Sequence, residues 1–207
     1  ILPNDEIAEL KYLMFITNNG LIKKTEIDKF SNVRKSGLIS IKLKDGDFLK
    51  WVKPTTGKDE VVLVTANGQS IRTKEKNIRS MGRSASGVRG IRLKGEDQIV
   101  GMLIINPKRT DKDKLSIVME NGFGKKTFLK AYKVQGRGGS GIKTAKVTAK
   151  TGKIVSAFIA DEENKDKDII IISTGAQVIR LALKNIPTIG RATQGVRLMR
   201  FKKAGDK

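Results

Sequence analysis

The segment Leu13-Met14-Phe15-Ile16-Thr17-Asn18-Asn19-Gly20-Leu21-Ile22-Lys23-Lys24-Thr25 carries the pattern that decides the fold. An apolar run leads into Asn-Gly, and a second run with apolar and β-branched residues follows. Asn-Gly between two such runs is the strongest short-range signal of a β-hairpin, and it predicts a type I′ turn with positive φ at both central residues. We therefore expect two antiparallel strands joined at Asn19 and Gly20.

The same hairpin pattern recurs three more times along the chain. Its further copies are centred on Asn67-Gly68, Asn121-Gly122 and Thr174-Gly175 and lie about 50 residues apart. A second glycine follows each turn and introduces an alternating basic segment, and these glycines are Gly37, Gly87, Gly141 and Gly195. A period of this length is typical of an array of β units. We predict that Gly20, Gly68, Gly122 and Gly175 occupy equivalent turns.

Each unit is expected to contain about four strands. The segments 37–44, 87–94 and 141–147 alternate with a period of two, which gives a strand one buried face and one exposed face. The final strands of the units are predicted at Phe48–Val52, Ile99–Ile105 and Ile154–Ile159. The pattern predicts an all-β, propeller-like array with short helices at most. Its approximate units are 1–53, 54–106, 107–160 and 161–207.

Composition excludes several classes of function. The chain has 207 residues without cysteine or histidine, so a disulfide framework, a thiolate metal site and the commonest general base are excluded. No apolar run approaches the roughly 18 to 20 residues that span a bilayer, and no signal peptide is visible. Tyr12 and Tyr132 have no catalytic setting. We expect a non-catalytic chain without cofactor or metal, and the absence of an initial methionine indicates an excised or processed piece.

The net charge of +21 is sorted along the chain. Basic residues concentrate between the two glycines of each unit, and residues 122–143 and 175–197 contain no acidic residue. Acidic residues cluster in the other connections, such as residues 45–47, 96–97 and 161–168. Because equivalent loops occupy equivalent places in an array, the basic loops are predicted to form a positive belt. Such a belt matches the phosphate backbone of a wrapped duplex.

The segment Gln135-Gly136-Arg137-Gly138-Gly139-Ser140-Gly141 contains a G-x-G-x-x-G pattern. That pattern binds a dinucleotide only between a strand and a helix, whereas the residues after it alternate like a strand. Two interpretations stay open. The segment is either a flexible glycine loop or a loop whose bare backbone amides and Arg137 approach a phosphate closely.

The repeat resembles the C-terminal domain of the DNA gyrase A protein over essentially the whole chain. The stretches that carry the resemblance are Asn19-Gly20-Leu21-Ile22-Lys23-Lys24-Thr25, Met81-Gly82-Arg83-Ser84-Ala85-Ser86-Gly87-Val88-Arg89-Gly90-Ile91-Arg92-Leu93, Asn121-Gly122-Phe123-Gly124-Lys125-Lys126-Thr127 and Gly190-Arg191-Ala192-Thr193-Gln194-Gly195-Val196-Arg197-Leu198. The resemblance implies a β-pinwheel of four-stranded blades that exchange strands, with a basic rim that wraps DNA. In gyrase this wrap lets ATP-driven strand passage introduce negative supercoils. The four units resemble the last four blades of a longer ring, so an open or partial ring is expected.

The family's signature box, Q-R-R-G-G-K-G, is matched in part by residues 135–141. Gly136 and Ser140 replace two of its basic residues, and the principal box is expected upstream of this chain. The residues predicted to contact DNA are Lys23, Lys24, Arg34, Lys35, Arg72, Lys74, Arg79, Arg83, Arg89, Arg92, Lys125, Lys126, Gln135, Arg137, Gly138, Gly139, Gly141, Lys143, Arg180, Arg191 and Arg197.

The resemblance also implies partners and a location. The partners are double-stranded DNA, the remainder of the gyrase A protein and, in a heterotetramer with two copies of each protein, gyrase B; the location is the bacterial cytoplasm at the nucleoid. The catalytic residues of the enzyme lie on other domains. Two alternatives stay open: the related domain of topoisomerase IV, which handles crossings without tight wrapping, and a propeller that binds acidic proteins or sulfated glycans. Since the chain starts inside one unit and stops before completing another, open edges and exposed apolar surface are expected at its ends.

Overall fold

The computed structural model describes residues 9–33, 35–109, 112–161, 163–202 and 205–207, with the backbone alone at Arg109. The strands are β1 (Tyr12–Thr17), β2 (Leu21–Glu26), β3 (Leu49–Thr55), β4 (Glu60–Thr65), β5 (Gln69–Lys74), β6 (Val88–Arg89), β7 (Ile99–Ile105), β8 (Lys114–Met119), β9 (Phe123–Phe128), β10 (Val134–Gln135), β11 (Ile142–Lys143), β12 (Ile154–Ala160), β13 (Asp168–Ile172), β14 (Val178–Ala182) and β15 (Val196–Arg197). Single 3₁₀ turns lie at Ile27–Phe30, Glu75–Asn77, Pro107–Arg109, Leu129–Ala131 and Leu183–Asn185. In this described part of the chain, no helix has the length and apolarity to cross a membrane.

The strands form three larger sheets and one isolated hairpin. The hydrogen-bonded orders are β3-β1-β2-β6, β7-β4-β5-β10 with β11 also on β5, β12-β8-β9-β15, and β13-β14. The outermost strand of each larger sheet comes from the following unit: β6 pairs with β2, β11 with β5 and β15 with β9. The expected all-β, propeller-like architecture with exchanged strands is confirmed. No strand pairing among the described residues joins the fourth hairpin to the first unit, so the array is open.

The hairpin turns differ from the expected type. Gly20 donates its amide to the carbonyl of Thr17 over 3.1 Å and has φ of 80°, but Asn19 before it has no positive φ. The type I′ prediction is therefore wrong: only the glycine is left-handed, as in turns that end in a single residue of this conformation.

The fourth turn also corrects the predicted alignment. Ile172 pairs with Val178 in the same way as Ile16 pairs with Ile22. The position equivalent to Gly20 is consequently Ala176, which has φ of 62° and is the only left-handed residue other than glycine in the described ranges. Gly175 lies one residue before this position. The Thr-Gly dipeptide therefore predicted the wrong position for the turn. The pairing of β13 with β14 determines that position, and it places Ala176 where the first turn has Gly20.

The alternating basic segments form strands only where the preceding unit offers a hairpin. Residues 87–94 and 141–147 contribute the two-residue strands β6 and β11, while residues 37–44 contain no strand, contrary to the prediction. The described residues contain no hairpin ahead of β1 with which residues 37–44 could pair. The second glycine is required at these junctions. A Cβ atom on the left-handed Gly87 would lie 2.6 Å from the carbonyl oxygen of Ile22.

The hydrophobic cores lie between successive units. In β4, Val61 and Leu63 pack into a core shared with the first unit, whereas Val62 and Val64 pack into a core shared with the third. A strand between two cores needs an uninterrupted apolar run. The fourth hairpin has the same type of run, but its Ile170 and Ile172 are both 66% exposed because only its other face is packed. This face of the fourth hairpin is therefore an exposed apolar surface.

Recurring acidic residues bind the hairpin turns. A carboxylate oxygen of Asp47 accepts the amide of Asn19 over 3.0 Å, and Asp97 accepts the amide of Asn67 over 2.9 Å. Asp206 occupies the corresponding place in the fourth unit. A hydrogen bond from the Ser173 hydroxyl, with others from the turn backbone, holds the pKa of Asp206 below its usual value. These three aspartates therefore have a structural role at the turns.

Candidate nucleic-acid interface

The exchanged strands place basic side chains at the outer edge of the array. Strands β3, β7 and β12 lie at one edge of their sheets, which we call the inner edge, and β7 contacts both β3 and β12. Strands β6, β11 and β15 border the opposite side of their sheets and carry Arg89, Lys143 and Arg197 at equivalent positions. All three side chains are exposed. The outer edge therefore presents one cation from each exchanged strand.

Arginines from the following unit reach back to these strands. The guanidinium of Arg137 donates to the carbonyl of Arg89 over 3.3 Å and to the carbonyl of Asn77 over 3.0 Å. Arg191 donates to the carbonyl of Lys143 over 2.8 Å. One contact thus recurs at two unit boundaries and brings cations of consecutive units side by side.

We call this set of side chains the basic rim. We include Arg83, which is half-buried, as a sixth member by sequence equivalence, because it precedes its second glycine by four residues, as Arg137 and Arg191 do. The members of the basic rim are Arg83, Arg89, Arg137, Lys143, Arg191 and Arg197.

Aromatic rings support two members of the basic rim. The guanidinium of Arg197 lies 5.3 Å from the ring centre of Phe123, and that of Arg191 lies 5.9 Å from the ring centre of Tyr132. Such cation–π contacts hold a guanidinium over the ring face and leave its outer edge available. Tyr132 itself is a core residue, and burial raises the pKa of its hydroxyl to about 12.

Five predicted DNA-binding residues are instead buried: Lys23, Lys24, Arg72, Lys125 and Lys126. Their head groups bind the next unit. Lys24 lies 3.7 Å from a carboxylate oxygen of Glu75, Arg72 donates to the carbonyl of Leu129 over 3.0 Å, and Lys126 donates to the carbonyl of Leu183 over 2.7 Å.

The structure gives these five head groups partners inside the array and does not direct them to the outer edge. They join successive units instead. Sequence inspection missed this role because their strands, β2, β5 and β9, are covered on both faces. A cationic residue within a strand that is covered on both faces indicates that its head group has a buried partner. The sequence does not show which residue that partner is, because it lies in another unit.

Most of the other predicted side chains are exposed. Lys35, Lys74, Arg79, Arg92 and Arg180 are exposed at the surface. Arg180 forms an ion pair with Asp168 across the fourth hairpin. Gln135 lies in β10, which runs parallel to β5 and aligns Gln135 with Thr73. Arg34 lies outside the described residues.

The glycine-rich loop is fixed against the second unit. Gly138 donates its amide to the carbonyl of Gly90 over 2.7 Å, and the carbonyl of Gly139 accepts the amide of Arg92 over 2.8 Å. The amide of Gly138 is therefore not bare, which corrects the expectation for this residue. Gly141 is left-handed and leads into strand β11, so no helix N-terminus follows the G-x-G-x-x-G pattern. The dinucleotide interpretation is excluded on the local fold.

These features define an open, propeller-like β-repeat with a cationic outer edge. In the parts of the chain that the structure describes, no group of three or more acidic side chains is placed to hold a metal ion. The family model described as "DNA gyrase C-terminal domain, beta-propeller" matches residues 11–56, 59–106, 120–161 and 167–207. The chain belongs to this family.

Curated relatives and solved structures agree with this assignment. The DNA gyrase A protein of Staphylococcus epidermidis is 38% identical over 201 residues, which cover 97% of this chain and 22% of the relative. The DNA gyrase A protein of Lawsonia intracellularis is 36% identical, with 97% of this chain and 24% of the relative covered. The chain therefore spans only about a quarter or less of the length of these two relatives.

Two solved structures show the same fold with 26% sequence identity. The C-terminal domain of DNA topoisomerase IV superposes with a TM-score of 0.88 and covers 100% of this chain and 62% of that chain. The DNA gyrase A C-terminal domain superposes with a TM-score of 0.80 and covers 96% of this chain and 64% of that chain.

Proposed function

We propose that this chain is a DNA-binding and DNA-bending segment of the A protein of a DNA gyrase. The observation that carries the proposal is the basic rim, in which Arg137 contacts Arg89 and Arg191 contacts Lys143 across unit boundaries. Similarity to curated gyrase A proteins over 97% of the chain supports it.

The proposed mechanism is electrostatic and geometric. Arginine and lysine side chains at the outer edge bind phosphate oxygens, and forked guanidinium groups give the stronger contacts. Phosphate contacts fix the path of a duplex without reading its sequence. Because equivalent cations recur from unit to unit, a bent duplex gains more contacts than a straight one, which offsets the energy of bending.

In the holoenzyme, the bent duplex supports negative supercoiling by ATP-dependent strand passage. The catalytic residues lie in other parts of the gyrase A protein, and this segment works without a cofactor or metal ion of its own. Its partners are double-stranded DNA, the remainder of the gyrase A protein, and gyrase B in an assembly of two copies of each protein. The assembly acts in the bacterial cytoplasm at the nucleoid.

Ligation of a nicked circular DNA in the presence of the purified chain tests this function. A wrapped path leaves a change in linking number of one sign that grows with protein concentration. The comparison variant has Arg89, Lys143 and Arg197, whose side chains are all exposed, changed to Ala, which removes the cations of the exchanged strands; circular dichroism checks that it is folded. An unchanged linking number with saturating wild-type chain contradicts the proposal.

The second candidate is the corresponding domain of topoisomerase IV. The higher TM-score with that domain, 0.88 against 0.80, favours it, whereas the curated relatives favour gyrase. Duplex binding without any change in linking number supports this second candidate. Binding of sulfated glycans or acidic proteins with no affinity for duplex DNA supports the third class, a propeller unrelated to DNA.

A further inference from the structure

The head groups of two buried lysines, Lys23 and Lys125, bind the loops of the next unit that contain Arg83 and Arg191. Lys125 is 1% exposed, and its Nζ donates to the carbonyl of Gly190 over 2.8 Å and to the hydroxyl oxygen of Thr193 over 3.0 Å. It also donates to the carbonyl oxygens of Arg191 and Thr193. Every acceptor lies in one loop, which is about 65 residues further along the chain.

The first unit repeats this arrangement. Lys23 is fully buried, and its Nζ donates to the carbonyl of Arg83 in the second unit and to the carbonyl of Ser40 over 2.5 Å. Each lysine thus donates to the backbone carbonyl of an arginine at the equivalent loop position, Lys23 to Arg83 and Lys125 to Arg191. In each case the ammonium group binds the backbone of the arginine from inside the array.

The side chain of Arg191 points away from Lys125. The guanidinium of Arg191 reaches Lys143 on the outer edge, while its carbonyl is held by Lys125 from the interior. These two attachments fix both the backbone and the direction of the side chain. An ammonium group is costly to bury unless it is hydrogen-bonded, so a lysine kept at this position needs the loop as its acceptor.

The second unit provides a natural comparison. Ile71 pairs with Leu63 just as Lys125 pairs with Ile117, so Ile71 occupies the lysine position but has no donor. The loop that faces it, residues 135–141, is held by backbone bonds such as that from Gly138 to Gly90 over 2.7 Å. A glycine-rich loop approaches its neighbour closely enough for such bonds.

We propose that Lys23 and Lys125 are positioning residues that hold the loops of Arg83 and Arg191 from inside, so that both arginines stand on the basic rim. The consequence for DNA rests on the proposed function. Neither lysine contacts DNA itself. Each acts through the arginine of the following unit.

Limited trypsin digestion of the DNA-free chain tests the loop anchoring directly. Lys125→Met keeps the length of the side chain and removes its donors. Cleavage after Arg191 is expected to become faster by about tenfold or more, since hydrogen bonds to a charged group are lost and local opening increases. Cleavage after Arg137 is the internal control. Ile71→Met is the matched control variant, because Ile71 occupies the position equivalent to Lys125 but carries no ammonium group. Neither is expected to change. Unchanged cleavage after Arg191 in a folded Lys125→Met variant overturns the proposal.

A milder variant covers the case in which Lys125→Met lowers global stability. Thr193→Val removes an exposed hydroxyl that accepts from Lys125 and leaves no buried charge without a partner. It is expected to increase cleavage after Arg191 selectively and by a smaller factor. Cleavage that rises equally after Arg137 and Arg191 in this variant contradicts the proposal.

Duplex affinity supplies the second readout. Lys125→Met and Arg191→Ala are expected to weaken binding by similar factors, and the double variant by no more than Arg191→Ala alone, because the lysine acts through the arginine. Additive losses overturn the positioning role. If the cleavage result holds but the wild-type chain does not bind duplex DNA, the loop anchoring is supported and the proposed function is contradicted.

Discussion

The guanidinium of Arg191 donates a 2.8 Å hydrogen bond to the backbone carbonyl of Lys143, and the two residues belong to consecutive units. Arg137 makes the corresponding bond to Arg89 over 3.3 Å. Lys143 reaches this place only because β11 leaves its own unit and pairs with β5. The basic rim is therefore a product of strand exchange.

Duplex binding is expected to depend strongly on salt and weakly on sequence. With about six to ten phosphates contacted, affinity falls by roughly 10³ to 10⁵ between 50 and 200 mM salt, because bound counterions are released. Fluorescence anisotropy with two duplexes of unrelated sequence measures both dependences. Affinity that ignores salt, or that differs strongly between the two duplexes, contradicts binding by the basic rim.

Single cations of the exchanged strands are expected to contribute additively. Changing Arg89, Lys143 or Arg197 to Ala weakens binding on every duplex and lowers the salt slope by about 1 in each case. Lys58→Ala is the matched control, because Lys58 is exposed but lies in a connection outside the basic loops. An equal loss of slope for Lys58→Ala shows that binding is spread over the whole surface.

Arg72 is expected to contribute to stability and not to DNA contact. Its guanidinium lies 2.6 Å from Glu60, and both side chains are 7% exposed. Arg72→Met leaves a buried carboxylate without its partner and costs about 3–5 kcal/mol in the free energy of unfolding. Denaturant titration measures this cost. The double variant Arg72→Met with Glu60→Gln is expected to recover part of it, and no recovery contradicts the buried ion pair.

Two of the second glycines, Gly141 and Gly37, allow the stability contribution of the close contact at an exchanged strand to be measured. Gly141 and Gly37 both have left-handed φ, of 71° and 79°, so alanine strains the backbone at both by about 1 kcal/mol. A Cβ atom at Gly141 overlaps the carbonyl of Ser70, whereas nothing lies within 4 Å at Gly37. Gly37→Ala is expected to lower the melting temperature by roughly 2–4 °C. Gly141→Ala should lower it by more than twice as much, and equal shifts contradict the close contact.

Stability should rise with pH through the buried Lys125. Burial, with the nearby charge of Arg191, lowers the pKa of Lys125 from 10.5 to about 8. Between these two values the unfolded chain holds a proton that the folded chain has released, so unfolding takes up a proton and the free energy of unfolding increases with pH. The free energy of the wild-type chain minus that of Lys125→Met is expected to rise from pH 8 to 10.5 and to be constant below this window. A fall across the window contradicts the lowered pKa.

Local patterns predicted much of the secondary structure. The hairpins at Gly20, Gly68 and Gly122 and the final strand Ile99–Ile105 were recognisable because turn chemistry and alternation act between near neighbours. The fourth turn was misplaced by one residue, since its Ala176 carries the left-handed conformation without a glycine to mark it. The strand expected in residues 37–44 is absent, because a strand on the edge of another unit needs that unit's hairpin.

The sequence by itself determined the repeat, the all-β class and the cationic character, because each depends on composition or on residues close together in the chain. Only the tertiary structure decided which cations face solvent. Lys125 and Arg137 look equally available in the sequence, yet one is buried against a loop 66 residues away and the other is exposed on the basic rim. Burial of this kind depends on pairing between units, and no local pattern specifies which unit's carbonyl groups will meet a given ammonium group.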